Sequence, residues 1–142
     1  MPTMTKNQLG DLLLSCVQVS RDDDGDYVTL LEKDADFRYN VAVFFVLDEK
    51  SQKFQMMGTT EFRLPEEDSG RAIAFCNKWN TEKSYGQAFF SDGTFRINAV
   101  LNDPGSTSAE YIRDSFVKFL LPVFWTYYKE VGAEFDSRIV HA

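Results

Sequence analysis

Apolar residues recur along this chain in two periods, and the switches between them mark out the elements. Leu9, Leu12, Leu13, Cys16 and Val17 fall at helical spacing. Thr5 and Gln8 ahead of them have the form of a capping box, so a first helix is expected near 5–17, weakened by Gly10. Arg21-Asp22-Asp23-Asp24-Gly25-Asp26 is a turn signal. Strands are then expected over 27–33, 38–47 and 54–64. The core of the second, Val41 to Leu47, is apolar on both faces, which suits a central strand. The third alternates Phe54, Met56, Thr60, Phe62 and Leu64 with polar residues, the mark of a half-exposed strand.

Pro65 and three acids open a second helix, with Ala72, Phe75, Cys76 and Trp79 on one face. Two strands, 85–91 and 94–101, follow around Asp92-Gly93. A two-residue turn there sets Phe90 opposite Phe95, Ala88 opposite Ile97 and Gly86 opposite Ala99. The other face pairs Phe89 with Arg96, Gln87 with Asn98 and Tyr85 with Val100. Tyr85 and Phe89 thus lie on the more polar side, where a helix or a partner covers them. After a Pro/Gly loop at 102–106, Thr107 and Glu110 form a second capping box, and a long helix runs to about Val131.

That last helix carries the functional argument. At 100° per residue, Ile112, Phe116, Phe119, Leu120, Val123, Phe124, Tyr127 and Val131 make one broad arc, enough to dock on a sheet. Val117, Leu121, Trp125 and Tyr128 make an adjacent stripe. Left in water, that stripe is an aromatic patch of the kind that marks a partner surface. The expectation is a homodimer or client-binding surface, unless the first helix packs over the stripe. Pro122 removes a hydrogen bond to Lys118 and should kink the axis.

Composition adds little chemistry. The 142 residues are read as one domain, 1–142, with an ordinary apolar fraction and an aromatic-rich core. A net charge of −7 opposes nucleic-acid binding. No run approaches a membrane span. The acidic turn lacks the glycine at position six and the glutamate at position twelve that a calcium loop needs, counted from Asp22. Cys16 and Cys76 are read as free thiols in a reducing cytoplasm, although sequence alone does not exclude a disulfide. His141, the only histidine, stands one residue from the end, which leaves no histidine triad or histidine metal cluster. Glu61 and Glu82 are read as surface carboxylates. No catalytic, cofactor-binding or metal-ligating residue is assigned, and no cofactor is expected.

The stretch Asn77-Lys78-Trp79-Asn80, the polar loop to Tyr85, the Asp92-Gly93 hairpin and an acidic-capped aromatic helix together resemble the YbjN-type family, labelled bacterial sensory transduction regulators. The likeness covers about 71–128. The Asn102-Asp103-Pro104-Gly105 loop departs from the longer Leu-rich approach expected there. The resemblance implies an α+β fold with a single antiparallel sheet flanked by helices, in the order α-β-β-β-α-β-β-α, similar to type III secretion chaperones. It also implies a non-enzymatic role and dimerisation. Asn77, Trp79 and Asn80 match the family motif, and their structural reading is a core plug with asparagine caps.

Two functions compete. One is a chaperone-like or regulatory protein-binding module, acting through apolar grooves beside the C-terminal helix. The other is a small-ligand or isomerase-type protein on a curved-sheet cone, which needs a closed cavity holding an acid of raised pKa.

Overall fold

A computed structural model describes residues 3–35, 37–83 and 85–138. The fold is α+β: the described residues form one open antiparallel sheet of six strands in the order β1-β2-β3-β4-β6-β5, with three helices. Helix α1 (Lys6–Leu14) is followed by β1 (Ser20–Arg21), β2 (Tyr27–Leu31), β3 (Val41–Asp48) and β4 (Lys53–Thr60). A 3-10 turn (Glu66–Asp68) leads into α2 (Ser69–Glu82), and β5 (Gln87–Ser91) and β6 (Thr94–Asn102) form the hairpin. The last helix, α3, has three pieces: an α-turn (Ala109–Tyr111), a π-helical stretch (Ile112–Phe119) and an α-helical stretch (Leu120–Phe135). The order expected from sequence holds except for the added β1, two residues with no pattern of their own. No helix among the described residues is long and apolar enough to cross a membrane.

Local signals explain most boundaries. Thr5 and Gln8 exchange the two hydrogen bonds of a capping box. Asp92 and Gly93 take φ of 53° and 80°, the primed turn whose twist suits a hairpin. Phe90 then faces Phe95, Ala88 faces Ile97, Phe89 faces Arg96 and Gln87 faces Asn98, as the pattern predicts. The expected pairs Gly86–Ala99 and Tyr85–Val100 do not form, because Gly86 turns away at φ 73° and β5 begins only at Gln87. The cap of α3 is Ser108, whose hydroxyl accepts from the Tyr111 amide, rather than Thr107.

All three helices pack on one face of the sheet. That face carries Val43, Phe45, Phe54, Met56, Phe95 and Ile97, all fully buried. Gly58 faces α3 where a β-carbon would lie 3.3 Å from Tyr128 and 3.4 Å from Phe124. Gly10 abuts Tyr27 so closely that a β-carbon would collide with its hydroxyl and ring. The glycine that weakens α1 as a helix is what lets it lie on the sheet. Tyr127 and Tyr128 donate their hydroxyls to the carbonyls of Arg96 and Phe95, at 3.1 and 2.9 Å, pinning α3 to β6. Arg138 binds Asp68 and Glu67, and Arg38 binds Asp136, clasping the end of α3 to the turn before α2 and to the β2–β3 loop.

Candidate functional site

The expected exposed stripe on α3 is not exposed. Val117, Leu121 and Tyr128 are buried within the chain, and Trp125 is half-buried, edge-on to the buried Phe37 at 5.8 Å. The cause is the π-helical stretch. Its i→i+5 ladder turns fewer degrees per residue than the α-helix of the wheel, so the phase slips along 112–119. Val117, Leu121 and Tyr128 rotate towards the sheet, while Phe119, assigned to the docking arc, turns outward and Val123 is left half-buried at the edge of the core. Pro122 falls in the first turn of the α-helical stretch, where its missing amide hydrogen has no intrahelical duty.

Phe119 is 44% exposed and meets Tyr85, 52% exposed, ring edge to ring face at 4.8 Å. Both aromatics border one hollow beside α3, and Tyr85 borders a second. The first, of about 280 Å³, lies among Trp79, Lys83, Lys118, Pro122 and Val123. The other, of about 590 Å³, shares Tyr85 and Lys83 and runs along Gly86, Gln87, Asn98, Ala99 and Val100 to Phe116 and Leu120. Among the described residues no carboxylate lines either hollow, in a chain of net charge −7.

The second candidate surface is the sheet face opposite the helices. Strand alternation places Val28 and Leu30 of β2, Ala42, Phe44 and Val46 of β3, Met57 of β4, Phe89 of β5 and Val100 of β6 there. None of these joins the core cluster, and Leu30 and Val100 are 54% and 43% exposed. The apolar character of β3 on both faces is therefore half explained by helices and half left open. Tyr85 and Phe89, expected to share one surface, are divided: Phe89 lies on this sheet face, Tyr85 beside α3.

The motif residues have structural partners. Trp79 is buried, edge-on to Tyr127 at 5.2 Å and under Lys83, with its indole N–H unpartnered among the described residues. The Asn80 side chain accepts from the Ala88 amide at 2.7 Å and donates to the Ala88 carbonyl at 2.9 Å. Asn77 is exposed, and its carbonyl accepts from the Thr81 hydroxyl. This Asn80 clasp extends the expected caps: it holds the strand beyond the loop.

A cone-shaped ligand cavity is not what lies beneath the sheet. Phe45, Phe54, Phe62, Phe95, Phe124 and Phe135 fill that space. The one buried carboxylate among the described residues, Asp68, is bound by Arg138. Glu61 is exposed beside a surface hollow of about 640 Å³ on the open sheet face, and Glu82 is exposed on α2. Asp22 turns its carboxylate onto the amides of Asp24 and Asp26, which makes the acidic turn a backbone cap. Burial, then the Asp22 charge, raise the Asp26 carboxyl. Cys16 is partly buried and Cys76 buried, both as free thiols. Burial pushes the Cys76 thiol up, and its sulfur sits 3.6 Å from the Tyr127 hydroxyl. His141 lies outside the described residues.

The sequence model of one family, YbjN, described as "Putative bacterial sensory transduction regulator", matches residues 9–116. The match begins in α1 and ends at Phe116, wider at the N-terminal side than the likeness read from the motif. No curated protein matches the chain.

Proposed function

The chain belongs to the YbjN family, and we propose that it is a non-enzymatic regulatory module that works by binding protein, with its uncovered sheet face closed by a second copy of itself. One observation carries this reading. Ala42, Phe44 and Val46 stand in a row at the middle of the sheet on the side that bears no helix. An antiparallel sheet with a solvated face alternates apolar with polar residues, whereas β3 is apolar on both sides. Six strands about 4.8 Å apart, from two residues long at β1 to nine at β6, make a face about 24 Å wide and about 27 Å deep at its middle, or roughly 600 Å² before corrugation. A stable interface of standard size buries about 800 Å² on each partner. The face is the right size for sheet-on-sheet packing about a two-fold axis.

The solvent-facing position of Phe44 makes the test direct. Light scattering on Phe44→Lys and on the unaltered chain reads the mass of each. The reading expects a dimer for the unaltered chain and a monomer for the variant, with thermal unfolding still cooperative in both. A dimer of undiminished stability in Phe44→Lys would overturn the assignment of this face.

A further inference from the structure

We propose that the hollow between β6 and α3 receives an extended polypeptide segment with acidic flanks, which adds a strand to the free edge of β6. This rests on the reading of the chain as a protein-binding module but uses the backbone edge of β6 rather than the middle of the sheet face around Phe44.

The geometry starts from Asn80. Its amide occupies both the N–H and the C=O of Ala88, so those groups point away from β6. In an antiparallel ladder the residues that exchange hydrogen bonds alternate. Gln87 with Asn98 and Phe89 with Arg96 are then the bonded pairs of the hairpin. The same alternation turns the N–H and C=O of Val100 towards the β5 side. But β5 starts at Gln87, while β6 runs on to Asn102. Val100 therefore presents a donor and an acceptor where the neighbouring strand has already ended, and it is 43% exposed.

Natural sheets protect such edges. Here β1 is only two residues long, and β5 is held at Ala88 by Asn80. The Val100 edge has neither device. Instead it borders the hollow of about 590 Å³. A strand laid there would turn the side chain opposite Ala99 towards Phe116 and Leu120, and the side chain opposite Val100 to the open sheet face. Apolar residues suit the first position. Lys83 and Lys118 stand beside the path with no carboxylate among the lining residues. Charge complementarity then selects Asp or Glu at the flanks and disfavours Lys or Arg. The main chain supplies affinity and the alternating side chains specificity, as in strand addition generally.

The experiment is selection from a displayed library of random 12-residue peptides on the full chain, followed by anisotropy titration of the enriched peptides. The selected sequences are expected to alternate apolar and polar residues, to carry acids at their ends and to exclude proline from the middle. Val100→Pro removes the donor that faces the hollow and leaves the β4–β6 bonds intact, so it should weaken binding at least tenfold while Val100→Ala does not. Lys83→Glu with Lys118→Glu, both exposed, should weaken it at least tenfold as well, which keeps the test open if Val100→Pro fails to fold. Phe44→Lys should leave it unchanged, which separates this proposal from the sheet-face dimer. Three results overturn it: no peptide enriched, peptides that bind Val100→Pro as tightly as the unaltered chain, or peptides that bind the double-Glu variant unweakened.

Discussion

The side chain of Asn80 satisfies both free backbone groups of Ala88, across 2.7 and 2.9 Å. An amide has the same donor and acceptor as a peptide unit, so α2 supplies the outermost strand with a one-residue neighbour. This couples the family motif to the sheet edge, and it fixes which residues of the hairpin bond across to β6.

Asn80→Ala removes two hydrogen bonds at a partly buried strand. Each contributes about 0.5–1.5 kcal/mol net, so a loss of about 1–3 kcal/mol is expected in urea unfolding. Asn80→Asp keeps the acceptor for the Ala88 N–H and loses the donor for its carbonyl. It should fall between the two.

Gly10→Ala sets two effects against each other. Alanine favours the helix by about 1 kcal/mol. Its β-carbon would collide with the Tyr27 hydroxyl and ring, and overpacking of that kind costs about 1–3 kcal/mol. The clash involves a buried ring and should win, so the melting temperature should fall. A rise would show that Tyr27 moves aside freely.

Much of this fold was legible because it is written locally. The Thr5/Gln8 capping box, the Asp92-Gly93 turn and the Phe90–Phe95 register each need only a few neighbouring residues. The phase of α3 was not legible, since a π-helical stretch changes the angle per residue and leaves no mark on an α-helical wheel. Phe37 lies outside every expected element, and it covers Trp125 only through the path of the β2–β3 loop. The alternation of β3 shows two apolar faces but not which one the helices take. The free edge at Val100 depends on Asn80 meeting Ala88, a contact between a helix and a strand that no periodicity reports.

Leu121→Glu puts a charge into the core rather than onto a surface, because Leu121 packs inside. It should abolish cooperative unfolding or cost more than about 3 kcal/mol. A well-folded Leu121→Glu of altered mass would restore the stripe as an interface.

Alkaline pH should destabilise the chain. Burial holds Cys76, Tyr127 and Tyr128 above their ordinary values of 9.0 for the thiol and 10.0 for the phenols. The folded state therefore keeps protons that the unfolded chain releases. The contribution is fully present below about pH 9 and is lost as pH rises through the folded values. Urea midpoints measured from pH 7 to 11 should fall above pH 9, and Tyr127→Phe should flatten the fall. A midpoint that rises with pH would contradict the burial of these groups.

The proposed dimer requires the helix-free face of the sheet to be covered in solution. Sedimentation equilibrium of the unaltered chain at micromolar concentration measures this most directly. The mass expected is twice the 16.3 kDa of one chain. A mass of 16.3 kDa that persists to millimolar concentration, with Phe44→Lys no less stable than the unaltered chain, would contradict it.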